Sequence, residues 1–348
     1  MAQRRKKKGG NMGKVALVVL IILLVVGAFA AYKVFGPNTD GFRKGEYLYV
    51  PTGATYEQVL AALDKEGFVK DINSFAFLAK KAQYPDKVKP GKYRIKKGMS
   101  NYDIIRMLRS GRQTSVKIVI NKLRTKDDLV KVIGTSLEAD SNVLRQMLND
   151  QVYLSQFGLD TSTAMCAVIP DTYEFWWNTS ADKAFRKLAK YYKDYWTTDR
   201  KQKAQARNLT PTDVVTLASI VEEETNNNAE KGTIASVYLN RMKEGMRLQA
   251  DPTVKFAVGD FTIKRITGAI TGTASPYNTY YTAGLPPGPI CTPSKKSIEA
   301  VLNAPETNYL YFCAKEDFSG SHRFASNYAD HMKNASLYQK ALNARGIR

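Results

Sequence analysis

The chain has 348 residues, 52 basic against 32 acidic side chains and a formal net charge of +20. It has only two histidines and no Cys-x-x-Cys or His-x-x-x-His spacing, which argues against a zinc centre. Three cysteines, Cys166, Cys291 and Cys313, allow one bridge at most, so no disulfide framework is implied.

The first fourteen residues carry Arg4, Arg5, Lys6, Lys7, Lys8 and Lys14 and no acid, and residues 15–32 are uncharged. About 20 apolar residues span a bilayer as a helix, and flanking basic clusters stay in the cytoplasm. The expected order is therefore a basic cytoplasmic tail (1–14), a single transmembrane helix (15–32) and a body outside the cytoplasmic (inner) membrane, on its periplasmic or extracellular face. Ala28-Phe29-Ala30 also has the small-x-small form of a signal-peptide cleavage site. The apolar run exceeds a typical h-region and continues past that site, which favours an uncleaved anchor. Without the six leading cations, 46 basic residues face 32 acids, a surplus of +14 on the exported part. Such a surface attracts anionic polymers and lipid headgroups. Nucleic acid is not expected as a partner, because of the location and because the basic residues are dispersed.

Residues 33–44 read as a linker, and a strand-turn-capped-helix pattern then recurs. Tyr47–Val50 is followed by Gly53 and Thr55, Tyr93–Ile95 by Gly98 and Ser100, and Val116–Ile120 by Thr125. Gly suits the turn and Ser or Thr the N-cap. Residues 45–115 resemble a LysM module, a small βααβ fold that binds N-acetylglucosamine polymers; a stalk that binds nothing is the other reading.

From Glu138 to Lys203 the apolar spacing is helical, interrupted at Ile169–Phe175 by Pro170. Thr210, Pro211 and Asp213 then form a strong helix start. That helix runs through Leu217 and Val221 into Glu222-Glu223-Glu224 and should end near Asn226–Asn228. Three carboxylates at the negative end of a helix repel one another, and a glutamate whose pKa rises toward neutrality becomes a better general acid. Glu224 shares the apolar stripe of Leu217 and Val221, whereas Glu222 lies beside the small Ala218. On the next helix Arg241 shares the stripe of Val237 and Tyr238, with Gly245 as the stop. The expectation is a supporting Glu224–Arg241 ion pair, with Glu222 facing a cleft; Glu224 stays open as the alternative acid.

Several blocks are specific: Leu217–Thr225; Asn240-Arg241-Met242; Met246–Val254; Tyr277-Asn278-Thr279-Tyr280; Gly284–Ile290; Tyr309–Phe312; and, upstream, Pro170–Phe175. In order and spacing the chain resembles the YceG-like endolytic murein transglycosylases over nearly all its length after residue 14. The resemblance implies an α+β architecture, with a transmembrane helix, a LysM-like α/β module and a mixed α+β catalytic domain over 116–348. It implies a lyase that cuts the MurNAc–GlcNAc bond of nascent peptidoglycan strands, leaves 1,6-anhydroMurNAc ends and limits strand elongation. The family's acid maps to Glu222, where Glu223 replaces a common lysine. Such an enzyme needs one carboxyl, because the substrate's own 6-hydroxyl attacks with high effective molarity. Neither metal nor cofactor is required. The implied substrate contacts are Gln249, Asp251, Thr253, Tyr277, Asn278, Thr279, Tyr280 and Glu174. The implied partners are glycan strands, the cytoplasmic membrane and peptidoglycan synthases. An antiparallel sheet is expected from the segments around 246–290 and 309–324.

Overall fold

A computed structural model describes residues 10–39, 46–263, 266 and 268–346. The basic cluster Arg4–Lys8 and residues 40–44 of the expected linker lie outside the described residues.

The first helix, α1 (Gly10–Phe35), contains the span Met12–Phe35, long and apolar enough to cross a membrane and nowhere buried. Its side chains stand open along the whole span, so it is not a core helix. The chain continues with β1 (Tyr47–Val50), α2 (Tyr56–Lys65), α3 (Ile72–Lys81), β2 (Gly91–Arg94) and α4 (Asn101–Ser110). Strands β1 and β2 pair antiparallel, Tyr47 opposite Arg94 and Val50 opposite Gly91. Thr55 and Ser100 cap α2 and α4 with reciprocal capping boxes to Gln58 and Asp103. Gly53 and Gly98 take φ +79° and +83°, as the turn reading requires. Leu48, Val59, Leu63, Phe75, Tyr93, Ile104 and Leu108 close the core of this first compact unit, which ends near Val116 and also takes in Phe175–Asn178.

The second unit comprises Lys117–Glu174 and the chain from Thr179. Strands β3 (Ser115–Ile120) and β4 (Asp171–Trp176) each straddle a boundary of this division, and the elements inside it are α5 (Lys126–Ser136), α6 (Ser141–Met147), α7 (Gln151–Ser155), α8 (Ala181–Tyr195), α9 (Thr198–Gln205), α10 (Pro211–Glu224), α11 (Lys231–Lys243), α12 (Asp251–Val258), α13 (Gly268–Thr271), α14 (Lys295–Leu302), β5 (Tyr311–Ala314), β6 (His322–Ala325) and α15 (Tyr328–Ala344). Strand β3 pairs with β4, and β5 with β6 in an antiparallel hairpin.

Helix α10 is the axis of this unit. Thr210 caps it with a capping box to Asp213, Pro211 sits in its first turn, and every residue from Val214 to Val221 is buried. A helix apolar on all sides belongs inside a core, and α11, α12 and α14 pack around it. The expected sheet is corrected. Among the described residues only the 311–325 hairpin forms, and 246–290 contains no strand. Pro252 in the first turn and Gly259 at φ +77° set α12 there instead. The stretch after it spends its polar groups on local turns rather than on a ladder.

Candidate active site

The three acids at the end of α10 have three separate environments. Glu222 Oε2 accepts from Lys231 Nζ at 2.9 Å, from Ser294 Oγ at 2.7 Å, from Ser294 N at 3.3 Å and from Ser297 Oγ. Lys231 is 3% exposed, and Ser294 is the N-cap of α14, so the carboxylate also meets a helix N-terminus. Burial alone would raise the Glu222 pKa. The hydrogen bonds from Ser297, Ser294 and Lys231 outweigh it and hold the group below the ordinary 4.5. Glu223 pairs with Lys122 at 2.7 Å and Arg124 at 3.1 Å, and these cations likewise overcome burial and lower its pKa.

Glu224 differs. Its Oε1 accepts from Tyr238 OH at 2.6 Å, and burial pushes its pKa up to about 7. The Tyr238 hydrogen bond pulls the other way, Asp251 adds a further upward push, and Lys255 and Arg241 pull down. Of the three acids, only Glu224 shifts toward neutrality.

Two expectations are thereby corrected. Glu222 is not the carboxyl with a raised pKa, because a buried ammonium and two hydroxyls stabilise its charge. Arg241 does not pair with Glu224. Its Nε donates to Leu310 O at 2.6 Å and its NH1 to Leu248 O at 2.7 Å, and its guanidinium lies over the Tyr311 ring at 5.3 Å. Arg241 therefore ties α11 to the β5 hairpin and to the strap leading into α12. It acts on Glu224 through its field alone.

The segment 249–280 divides in two. Thr253, Asn278 and Thr279 are fully buried. Thr253 Oγ1 donates to Ala250 O and lies 2.8 Å from Thr279 Oγ1, which accepts from Ala250 N. Asn278 Nδ2 donates to Thr271 O at 2.9 Å and Thr273 O at 2.7 Å, and its Oδ1 accepts from Tyr280 N. The polar groups of these three residues are satisfied inside the fold, so they shape the loop rather than meet a ligand. Asn278→Ala should lower unfolding stability by about 1–3 kcal/mol, the cost of stranding buried carbonyls. Chemical denaturation checks this.

The others stand nearer the acid or the surface. Asp251 is exposed and its Oδ1 accepts from Tyr280 OH at 2.6 Å. Both influence Glu224 or Tyr238 through space, which places them in one constellation with Arg241 and Lys255. Gln249 is exposed at φ +52°, held by its backbone N–H to Thr279 O. Tyr277 packs on Phe256 with ring centroids 4.8 Å apart. Glu174 is apart from this group. It is exposed on β4, with Lys117 at 3.5 Å.

Sequence reasoning missed Tyr238, Lys231, Ser294, Ser297 and Lys255. A signal for one was present: Lys231 lies three residues before Ile234 and seven before Tyr238, on the stripe already assigned to Arg241. From the upstream block, Asp171 pairs with Lys295 at 2.5 Å and accepts from Tyr191 OH. Lys295 and Tyr191, with the Thr172 N–H, lower the Asp171 pKa to about 2. The proline-rich loop is scaffold: Ile290 N donates to Ser219 Oγ on α10 at 3.0 Å. Gly288 approaches the Ser162 carbonyl so closely that a Cβ would lie 2.0 Å from it. Among the described residues no cluster of His, Cys, Asp and Glu could hold a metal ion.

The sequence profile of the YceG-like family matches residues 48–337. An endolytic murein transglycosylase of Bacillus subtilis is 28% identical over 316 residues, 84% of this chain and 85% of that protein. Endolytic murein transglycosylases of two Streptococcus pneumoniae strains are each 27% identical over 323 residues, 82% of this chain. The chain spans only 57% of the length of the pneumococcal proteins. A crystal structure of a yceG-like protein from Listeria monocytogenes shares the fold with a TM-score of 0.56 at 24% identity, covering 82% of this chain and 97% of that one.

Proposed function

The chain belongs to the YceG-like family, and from that membership and the surroundings of Glu224 we propose that it is a peptidoglycan lytic transglycosylase with Glu224 as its proton donor. The observation that carries the assignment is a carboxyl with a pKa near 7, hydrogen-bonded to Tyr238 and bordered by Asp251, Tyr280, Arg241 and Lys255. An acid that retains its proton near neutral pH and can then work as a base suits both halves of the reaction.

Glu224 gives its proton to the oxygen leaving from C1 of N-acetylmuramic acid, and the C1–O bond breaks. The 6-hydroxyl oxygen of the same sugar bonds to C1, and its proton goes to the Glu224 carboxylate. The product is a 1,6-anhydro ring, no water is consumed, and the acid ends protonated as it began. The tethered hydroxyl replaces a positioned water and a second catalytic carboxylate. Asp251, charged and exposed, is suited to offset positive charge developing at C1. Gln249, Tyr277 and Tyr280 offer amide and phenol groups for sugar hydroxyls.

Glu222, Lys231, Ser294 and Ser297 serve as the clamp that fixes the end of α10 between α11 and α14. In this reading the family's acid is the third carboxylate of the run, not the first. Tyr238→Phe should leave Glu224 without the hydrogen bond that favours its charge. Its pKa then rises, and the alkaline limb of the rate profile moves up by about one unit. A pH–rate profile of the purified full chain on peptidoglycan reads this directly.

Helix α1 anchors the chain in the cytoplasmic membrane with its N-terminus inside. The βααβ order of β1, α2, α3 and β2 supports a LysM-like module that holds glycan. Mass spectrometry of the products tests the reaction class: anhydro ends are lighter by one water than the ends a muramidase leaves. Hydrolysed ends, or no cleavage at all, would remove the proposal in favour of a muramidase or of a glycan-binding scaffold.

A further inference from the structure

The first unit has a cleft with no part in the proposed chemistry. It has a volume of about 720 Å³ and lies against the last turn of α1. Its floor is apolar, made by Val34 of α1, Leu78 of α3 and Ile105 of α4. Around it stand Lys81, Lys87, Lys89, Arg106 and Arg109, and no acid lines it. All five cations are exposed, and among the described residues none forms an ion pair. Lys89 donates to Ser110 O at 3.3 Å, and Lys81 lies over the Phe77 ring at 5.7 Å.

The position of this cleft is fixed by α1. Lys33 Nζ meets Asp71 Oδ2 at 2.6 Å, and Asn101 Nδ2 donates to Lys33 O at 2.9 Å. The membrane-crossing helix is thus bolted to α3 and α4 one residue before Val34. Phe35, Phe77 and Tyr102 are 66%, 62% and 45% exposed. Phe35 and Tyr102 pack with ring centroids 5.5 Å apart. Exposed aromatics mixed with Lys and Arg are the composition of a membrane–water interface.

We propose that this cleft binds the headgroup of an anionic phospholipid of the membrane that α1 spans. The phosphate would sit among Arg106, Arg109, Lys81 and Lys87, with the glycerol and upper acyl chain on Val34, Leu78 and Ile105. Clusters of Lys and Arg beside a membrane helix attract anionic lipid, and guanidinium groups match phosphate geometry. A glycan is a poorer match. The lining has no Asn, Gln, Asp or Glu side chain to read sugar hydroxyls, and its charge has no counterpart on a sugar ring. The bound lipid would fix the height and tilt of the first unit above the bilayer. This inference rests on the anchoring reading given above.

The test uses the full chain in nanodiscs of phosphatidylcholine with trace spin-labelled lipid. Electron paramagnetic resonance reads the fraction of labelled lipid immobilised by the protein. Wild type should enrich labelled phosphatidylglycerol over labelled phosphatidylcholine at least about fivefold, the factor that even one cation near an anionic headgroup supplies. The quadruple variant Lys81→Gln, Lys87→Gln, Arg106→Gln, Arg109→Gln should bring that ratio close to one. A control removing the same charge elsewhere (Lys183→Gln, Lys193→Gln, Lys201→Gln, Lys243→Gln) should keep the enrichment. Equal loss in both variants would overturn the site in favour of net charge alone. No enrichment in wild type, or displacement by millimolar inorganic phosphate or by soluble glycan fragments, would overturn it as well. Failure of the anchoring reading would appear differently, as release of the chain from the discs.

Discussion

Glu224→Gln is expected to lower strand cleavage by at least about 10²–10⁴-fold, the usual contribution of a positioned acid–base group, while leaving the fold intact. The same substitution should make the protein more stable at alkaline pH. The folded pKa of Glu224 is about 7 against an ordinary 4.5. Between those values the folded state holds a proton that the unfolded state has lost, so stability falls as pH rises through the window and levels off above 7. Gln carries no charge to bury, so at pH 8 the variant should unfold about 1–3 kcal/mol harder than wild type. Activity assays and denaturant curves at pH 5 and pH 8 check both parts. Glu222→Gln should behave oppositely, losing stability while retaining turnover at temperatures where it stays folded. An inactive but folded Glu222→Gln variant beside an active Glu224→Gln variant would exchange the two roles.

The second large effect falls on the clamp. Lys231→Met should lower stability by about 3–5 kcal/mol, because it leaves the partly buried Glu222 carboxylate without its ammonium partner. The loss should grow as pH rises above the ordinary glutamate range and shrink in acid, where Glu222 is neutralised. Adding Glu222→Leu to Lys231→Met should recover much of the loss, since removing both charges also removes their desolvation cost. Thermal or chemical unfolding of the single and double variants measures this, and additive losses would show that the pair does not act as a unit.

Helix ends were legible because their signals are local. The Thr210–Asp213, Thr55–Gln58, Ser100–Asp103 and Thr125–Asp128 boxes each lie within four residues. The buried stripe through Leu217, Val221 and Glu224 was legible for the same reason. The charge state of each acid was not, because its partners come from afar. Ser294 and Ser297 lie more than seventy residues beyond Glu222, and Lys122 and Arg124 about a hundred before Glu223. An Arg and a Glu on adjacent stripes suggested an ion pair, but backbone carbonyls at Leu248 and Leu310 claimed the guanidinium first. Asn278 and Thr279 looked like sugar contacts because short polar side chains suit both ligands and turns. Only their complete burial separates the two uses.

The proton that the proposed reaction needs resides on Glu224, and titration locates it. Carboxyl signals of the folded full chain, recorded from pH 3 to pH 9 and assigned by difference from Glu224→Gln, should show a Glu224 midpoint close to 7. Those of Glu222 and Glu223 should lie below 4.5. A Glu224 midpoint in the ordinary 4–5 range, or a near-neutral midpoint that survives in Glu224→Gln and disappears in Glu222→Gln, would contradict the account.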